Sequence, residues 1–383
     1  MRMLVLGAGR QGSACAYDLL QNPVVARVTL GDLLVDTLPP FLERYHDDPR
    51  LRLERVDARD RASVRTLMQG HDACMSALPY FLNLAITEEA IAQGLHYCDL
   101  GGNTEIVFRQ LELDAQAREK NLSAIPDTGL APGMVNILAE MAIQQLDETA
   151  SVRIFVGGLP QQPEPPLNYQ IVYSLQGVLD YYTTPGWVLR EGEPRQVEAL
   201  SELETVEFPA PIGTLEAFQT GGGLSMLPWK YRGRIGEMEY KTLRYPGHAH
   251  IMKAIRELGL LELRPVRVGN TEVRPRDAFI AIAEPHLRKP AGQDLVALRV
   301  EVRGRKDGGP RGIVYDCVDF FDAHSGISAM ERTTGFSLSI TAQMQASGQV
   351  RGPGVKTPDE AVPGEAYVAE LEKRGIRISR RIE

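Results

Sequence analysis

Along the first 127 residues, short apolar runs alternate with segments whose apolar positions recur at helical spacing. The pairs are MLVL and GSACAYDLLQ, ARVTLGD and DTLPPFLERYH, LRLERVD and RASVRTLMQ, DACMSAL and NLAITEEAIAQ, HYCDLG and FRQLELDAQAREK, followed by LSAIPD. Short β-branched runs bounded by turn residues predict strands, and the stretches between them predict helices. Regular strand–helix alternation with short loops predicts right-handed crossovers and a parallel sheet.

Beyond DTGLAPGMVN the pattern changes. MVNILAEMAIQQL predicts a helix opened by Pro132 and Gly133, whereas the prolines of LPQQPEPPLN (159–168) exclude regular structure. EYKTLRY alternates like a strand, and YPGHAH turns from it into the helical HIMKAIREL. DLVALRVEVRGRKDGGPRGIVYDCVDFFDAHSGISAM predicts two or three antiparallel strands, with Asp307, Gly308 and Gly309 turning between the first two. The terminal stretches TTGFSLSITAQMQASG and PGEAYVAELEKRGIRI predict helices that pack back on the first domain. At 383 residues the chain exceeds one ordinary core. The expected fold class is α/β, a Rossmann-type parallel-sheet domain plus a second, mixed α/β domain with antiparallel strands. The first domain is assigned residues 1–131 completed by 330–383, and the second residues 132–329.

Composition narrows the function more than the fold. With 43% hydrophobic and 24% charged residues the chain reads as soluble and globular. A net charge of −8 provides no basic footprint for nucleic acid or anionic lipid. No apolar run approaches the roughly 18 residues of a membrane span, and MLVL is too short for a signal-peptide core. Cys15, Cys74, Cys98 and Cys317 form no CxxC pair, so reduced thiols and a cytoplasmic location are expected. HExxH, paired cysteines and an EF-hand loop are absent, so no metal site is predicted. The expected partner is a small molecule, with no role for nucleic acid or membrane.

The sharpest motif is LVLGAGRQGSACAYDLL, which places Gly7, Gly9 and Gly12 in GxGxxG spacing between the first strand and the first helix. Gly7 permits the tight turn, Gly9 lets the backbone approach a pyrophosphate, and Gly12 lets helix and strand pack closely. Arg10 and Gln11 occupy the variable positions of the loop and are assigned to the cofactor with it. Asp32 ends the second strand about 20 residues later, where the fingerprint expects a ribose-binding carboxylate. It would repel a 2′-phosphate, and the following Leu-Leu-Val holds no cation, so NAD is expected rather than NADP. Leu78 and Pro79, after the fourth strand, are placed beside the nicotinamide end by position alone.

The blocks LVLGAGRQG, YCDLGG, IPDTGLAPGMVNIL, VGGLPQQPEPPLNY, EYKTLRYPGH and VPGEAYVAELEKRGI resemble the saccharopine dehydrogenase superfamily over nearly the whole chain. The resemblance is strongest to those members that use NAD to deaminate the ε-amino group of lysine oxidatively. It implies an NAD-binding domain built from both chain ends and a central domain for substrate and self-association, as a homodimer or higher homo-oligomer. The superfamily also includes saccharopine and carboxynorspermidine dehydrogenases, which act on secondary amines; the alternative readings are such an enzyme or a non-catalytic NAD-binding regulator that keeps the fold.

Oxidising lysine requires an anchor for the carboxylate, neutralisation of ammonium groups, and a base to take the ε-proton. Arg244 is the candidate anchor, its planar fork matching two oxygens. Strand alternation puts Thr242 and Arg244 on one face and Lys241 on the other, so Lys241 is either a separate catalytic cation or a solvated strand residue. His248 starts a helix, which favours a neutral ring: either a base or a cap. Asp99 and Asp127 follow strands at the carboxyl edge of the sheet and are candidate partners for ammonium groups, Asp99 with a catalytic role; Asp127 is read equally as a cap for the turn before Pro132. Gly133 offers a helix N-terminus to an anion. Tyr169, Tyr173, Glu164 and Glu216 complete the candidates, with His250 read as structural. Arg232 and Arg234 are the reserve cations for a substrate bearing more carboxylates.

Overall fold

The computed structural model describes residues 1–172, 174–289 and 292–383. Its first sheet has seven strands, in the order Gly354–Val355, Ser123–Ile125, His96–Asp99, Ala73–Ser76, Arg2–Leu6, Arg27–Asp32, Leu51–Arg55. Every pairing in it is parallel, as the alternation predicted. The strand order reverses between Arg2–Leu6 and Ala73–Ser76. This switch point opens a crevice at the carboxyl ends of those two strands, where ligands of open α/β sheets bind.

The second sheet has nine strands, whose main path runs Glu204–Phe208, Gly213–Gln219, Glu237–Arg244, Glu148–Pro160, Asp294–Lys306, Gly309–Phe320, Ser379–Ile382. Glu237–Arg244 runs parallel to Glu148–Pro160, and the other pairings are antiparallel. The Asp307–Gly308 turn links the two longest antiparallel partners, as expected from their sequence. Strand Glu148–Pro160 takes in the first two residues of the proline-rich segment; Gln161 to Asn168 form no helix or strand.

The tail joins the first domain through a helix of 18 residues, Ala329–Ala346. Its start is specified locally: Ser328 and Glu331 form a capping box, and Asp294 accepts from the N–H groups of Ala329 (2.7 Å) and Met330 (2.9 Å). The helix runs against Arg10–Gln21, with Gly335 at the crossing. A Cβ there would meet the Gln11 carbonyl at 2.7 Å, so the close approach depends on glycine. Ser339 donates to Asp18 (2.7 Å), Asn22 to Gln343 (2.6 Å), and Gln345 to the carbonyls of Tyr97 (2.8 Å) and Ser123 (2.9 Å). A continuous buried core extends from Met3 and Leu19 through Leu338 to Val300, uniting both sheets.

Candidate active site

The glycine loop occupies the switch-point crevice. Gly7 has φ +101°, and a Cβ there would sit 2.8 Å from the Ala77 carbonyl oxygen; a Cβ on Gly12 would fall on the carbonyl oxygen of Gly7. No atom of the described residues lies within 4 Å of the place a Cβ on Gly9 would fill, so backbone is exposed on that side. No side chain caps helix Arg10–Gln21, leaving its first N–H groups for a ligand. Asp32 accepts from the N–H of Ala8 (2.7 Å) and of Leu34 (3.0 Å), which fixes its carboxylate at the end of its strand. Arg10 reaches the Val172 carbonyl of the second domain (3.4 Å). Leu78 and Pro79 follow the adjoining strand Ala73–Ser76 across the crevice. The buried Gln11 Oε1 has no hydrogen-bond partner among the described residues. Open backbone and uncapped N–H groups fit a dinucleotide, which Gly7, Gly9 and Gly12 would cradle.

Below the loop lies a cavity of ≈ 230 Å³ walled by both domains. Gln11, Leu100, Gly101 and the segment Gly129–Pro132 come from the first domain, and Met330 and Thr334 from the returning helix. Tyr181, Thr220, Tyr240, Thr242 and Arg244 form the second domain's wall. Alternation along Glu237–Arg244 accounts for three of these, since Tyr240, Thr242 and Arg244 share one face. Thr242 and Thr220 hydroxyls are 2.7 Å apart across the wall. Among the described residues, Arg244 is the one charged side chain that lines the cavity. Its Nε donates to Tyr182 Oη (3.1 Å), its Nη1 donates to the Leu243 carbonyl (2.8 Å), and its guanidinium lies 4.9 Å over the Tyr169 ring.

Behind the first domain's wall stand two buried carboxyls. Asp99 accepts from the N–H of Gly101 (2.7 Å), the N–H of Asp127 (3.2 Å) and the Gln110 amide (2.7 Å), so it organises the two loops bordering the cavity. Burial raises its pKa, against the pull of these bonds. Asp127 has φ +62° and accepts from the Ser225 hydroxyl through Oδ2, while its buried Oδ1 has no hydrogen-bond partner among the described residues. That oxygen fills the space a side chain on Gly101 would need. Burial first, then the Asp99 charge, push its pKa up to about 7.

The remaining candidates lie off the cavity. Lys241 projects from the opposite face of its strand, where Nζ pairs with the Glu204 carboxylate and donates to the Glu202 carbonyl (2.8 Å), so it faces no substrate. Glu216 accepts from the N–H groups of Gly247 (2.9 Å) and Ala249, capping helix His248–Glu257. Gly133 spends its N–H on the Asn136 side chain (2.7 Å) and has none left for an anion. His248 is enclosed in the core, 2% exposed, with both ring nitrogens engaged. Burial, then the Arg244 charge, lower its pKa to about 3, so it is no proton acceptor at the cavity surface. Glu164 pairs with Lys289 (2.6 Å) and His250 is exposed. Tyr173 lies outside the described residues. No group of three His, Cys, Asp or Glu among the described residues is arranged to hold a metal ion. No described helix is long and apolar enough to cross a membrane. Tyr181, Thr220 and Thr334 escaped sequence reasoning, because nothing local marks them; only the folded arrangement gathers them.

A glycine loop at a switch point, above a cavity shared with a second sheet, defines a two-domain protein of the dinucleotide-binding class. The chain belongs to the saccharopine dehydrogenase family. Residues 3–125 match the saccharopine dehydrogenase NADP binding domain and residues 129–376 the saccharopine dehydrogenase C-terminal domain. It is 26% identical to a saccharopine dehydrogenase [NADP(+), L-glutamate-forming] of Pyricularia oryzae, over 54% of this chain and 47% of that protein. It is 22% identical to the mitochondrial alpha-aminoadipic semialdehyde synthase of Mus musculus, over 93% of this chain and 45% of that protein. The chain thus spans about half the length of these curated relatives. Among solved structures, the apo saccharopine dehydrogenase (L-Glu forming) of Saccharomyces cerevisiae aligns with TM-score 0.81 at 18% identity, covering 100% of this chain and 99% of that one. A homospermidine synthase of Legionella pneumophila, in complex with NAD, aligns with TM-score 0.71 at 11% identity, covering 100% and 91%. At these identities the structural likeness shows the fold alone.

Proposed function

We propose that the protein is an NAD-dependent lysine 6-dehydrogenase. It would oxidise L-lysine with NAD to the ε-imine and NADH; water then adds to the imine and ammonia leaves, giving 2-aminoadipate 6-semialdehyde, which cyclises with loss of water to piperideine-6-carboxylate. The observation that carries this reading is the single guanidinium in the cavity wall. One cation suits one carboxylate. Saccharopine bears three, and the reserve cations stand elsewhere: Arg232 pairs with Glu193 (2.7 Å), and Arg234 lies 4.7 Å over Tyr231 while donating to the Lys230 carbonyl (2.6 Å). Arg244 also belongs to the wall opposite the glycine loop, so a carboxylate held there keeps the α-carbon away from the cofactor and leaves the distal amine near Gln11 and Gly101.

When bound, the oxidised nicotinamide supplies the hydride acceptor. Arg244 holds the carboxylate in a bidentate pair. Tyr181 and Tyr240, with Thr220 and Thr242, offer oxygens to ammonium groups. Asp127 does not line the cavity; with Oδ1 lying against Gly101 behind the wall, it is assigned a charge-balancing role toward the ε-ammonium, which must lose a proton before oxidation. The fixed Asp32 carboxylate, followed by Leu33 and Leu34, favours a ribose diol over a 2′-phosphate. Arg55, at the same register in the neighbouring strand, is engaged by Asp36.

The test is NADH formation, followed by absorbance, with lysine, saccharopine, carboxynorspermidine and cadaverine, each with NAD and with NADP. Turnover of lysine with NAD is expected. Turnover of saccharopine with no turnover of lysine would overturn the proposal in favour of a secondary-amine dehydrogenase like the named relatives.

A further inference from the structure

The buried His248 joins a chain of hydrogen bonds that ends at the cavity. Arg244 Nε donates to Tyr182 Oη (3.1 Å), Tyr182 Oη lies 2.9 Å from His248 Nε2, and His248 Nδ1 lies 3.0 Å from the Leu167 carbonyl oxygen. The donors and acceptors permit one consistent arrangement for a neutral ring. The Leu167 carbonyl can only accept, so Nδ1 carries the proton; Nε2 then accepts from the Tyr182 hydroxyl, whose oxygen accepts from Arg244. The aromatic packing holds this line in place. Phe218 stacks on the imidazole at 6.4 Å with 8° between planes, and Tyr169 meets its edge at 5.4 Å while lying under the guanidinium. Tyr182 is 1% exposed and His248 2%, so water does not compete for these bonds.

We propose that Tyr182 and His248 are positioning residues that fix the plane of the Arg244 guanidinium, so that its fork is set for a carboxylate before substrate enters. The Leu167 carbonyl anchors the line, and the histidine tautomer sets its polarity. This rests on Arg244 being the carboxylate site. A planar donor locked by buried partners loses less rotamer freedom on binding than a mobile one, which appears as affinity rather than as rate of chemistry.

The test separates binding from turnover. Tyr182→Phe removes the acceptor for Nε and should raise KM for lysine roughly two- to tenfold, the cost of immobilising one long side chain on binding, with kcat within about a factor of two. Calorimetric titration with L-norleucine in the presence of NAD reads the carboxylate site without any reaction at the ε-nitrogen, and the same weakening is expected there. In the Arg244→Lys background, Tyr182→Phe should add little, because its partner is already gone. His248→Gln, which keeps an acceptor for the Tyr182 hydroxyl, should bind norleucine better than His248→Leu; this pair decides the matter if Tyr182→Phe does not fold. Unchanged norleucine affinity in Tyr182→Phe, a loss confined to kcat, or full additivity with Arg244→Lys would each overturn the relay. If norleucine fails to bind the unmodified protein, the lysine reading fails instead, and the same variants are compared on saccharopine affinity with the same criteria.

Discussion

Replacing Arg244 by lysine keeps the positive charge in the cavity wall and removes the fork. The guanidinium now donates to Tyr182 Oη at 3.1 Å and to the Leu243 carbonyl at 2.8 Å, and lies 4.9 Å over Tyr169. An ammonium on a flexible stem can be neither planar nor bidentate, and it cannot stack on Tyr169 in the same way. The variant therefore loses one charge-assisted hydrogen bond to substrate, worth about 1.5–3 kcal/mol. At about 1.4 kcal/mol per decade, kcat/KM for lysine should fall roughly ten- to a hundredfold. Initial rates of NADH formation supply the measurement, with thermal unfolding and NAD titration confirming that fold and cofactor site persist. Cadaverine, lysine without its carboxylate, provides the control, and its slow turnover should hardly move. Equal damage to lysine and cadaverine, with fold and NAD binding intact, would refute the assignment of the carboxylate to Arg244.

Three further outcomes are expected. Asp32→Ser with Leu33→Arg should shift preference from NAD toward NADP in kcat/KM, because a repelling carboxylate is removed and a phosphate partner supplied; a preference for NADP in the unmodified protein would contradict this account of Asp32. Gly12→Ala should abolish dinucleotide binding in a fluorescence titration and lower the melting temperature, since its methyl falls on the Gly7 carbonyl oxygen and overpacking costs about 1–3 kcal/mol. Asp127 has a folded pKa of about 7 against an unfolded value near 4, so the folded state keeps its proton longer, and stability falls as pH rises through that window by up to about 4 kcal/mol; in denaturant melts Asp127→Asn should exceed the unmodified protein at pH 8 and lose that advantage at pH 4.

Where pattern and local chemistry coincide, sequence sufficed. The glycine loop and Asp32 are specified within one βαβ unit, and the period of two in EYKTLRY separated Arg244 from Lys241 with no knowledge of neighbours. At His248, Lys241 and Glu216 one physical cause recurs: a side chain's partner lay far along the chain; Gly133 differs, its N–H being taken by Asn136 only three residues on. His248 does start a helix, yet its environment is made by Tyr182 and Leu167, 66 and 81 residues earlier. Lys241 meets Glu204, 37 residues away. Glu216, a substrate candidate from sequence, instead closes the turn at Gly247 from a neighbouring strand. The antiparallel strands between Gly186 and Gln219 carried too little alternation to be read: Glu193–Val197 and Glu204–Phe208 are edge strands with exposed side chains, whereas Gly186–Arg190 and Gly213–Gln219 are largely buried.

The route of the chain has a mechanical consequence. It passes from the first sheet to the second after Ile125, returns to the first for Gly354–Val355, and crosses again to end as Ser379–Ile382 on the edge of the second. A cut at any one crossing leaves at least one half without a strand or helix that its sheet needs, so neither half can be excised as an autonomous module. Heat should melt the two bodies together in one cooperative step. Any closing of the cleft has to flex several spans at once, which favours a narrow, stiff rocking about the cavity over the wide swing that a single tether would allow.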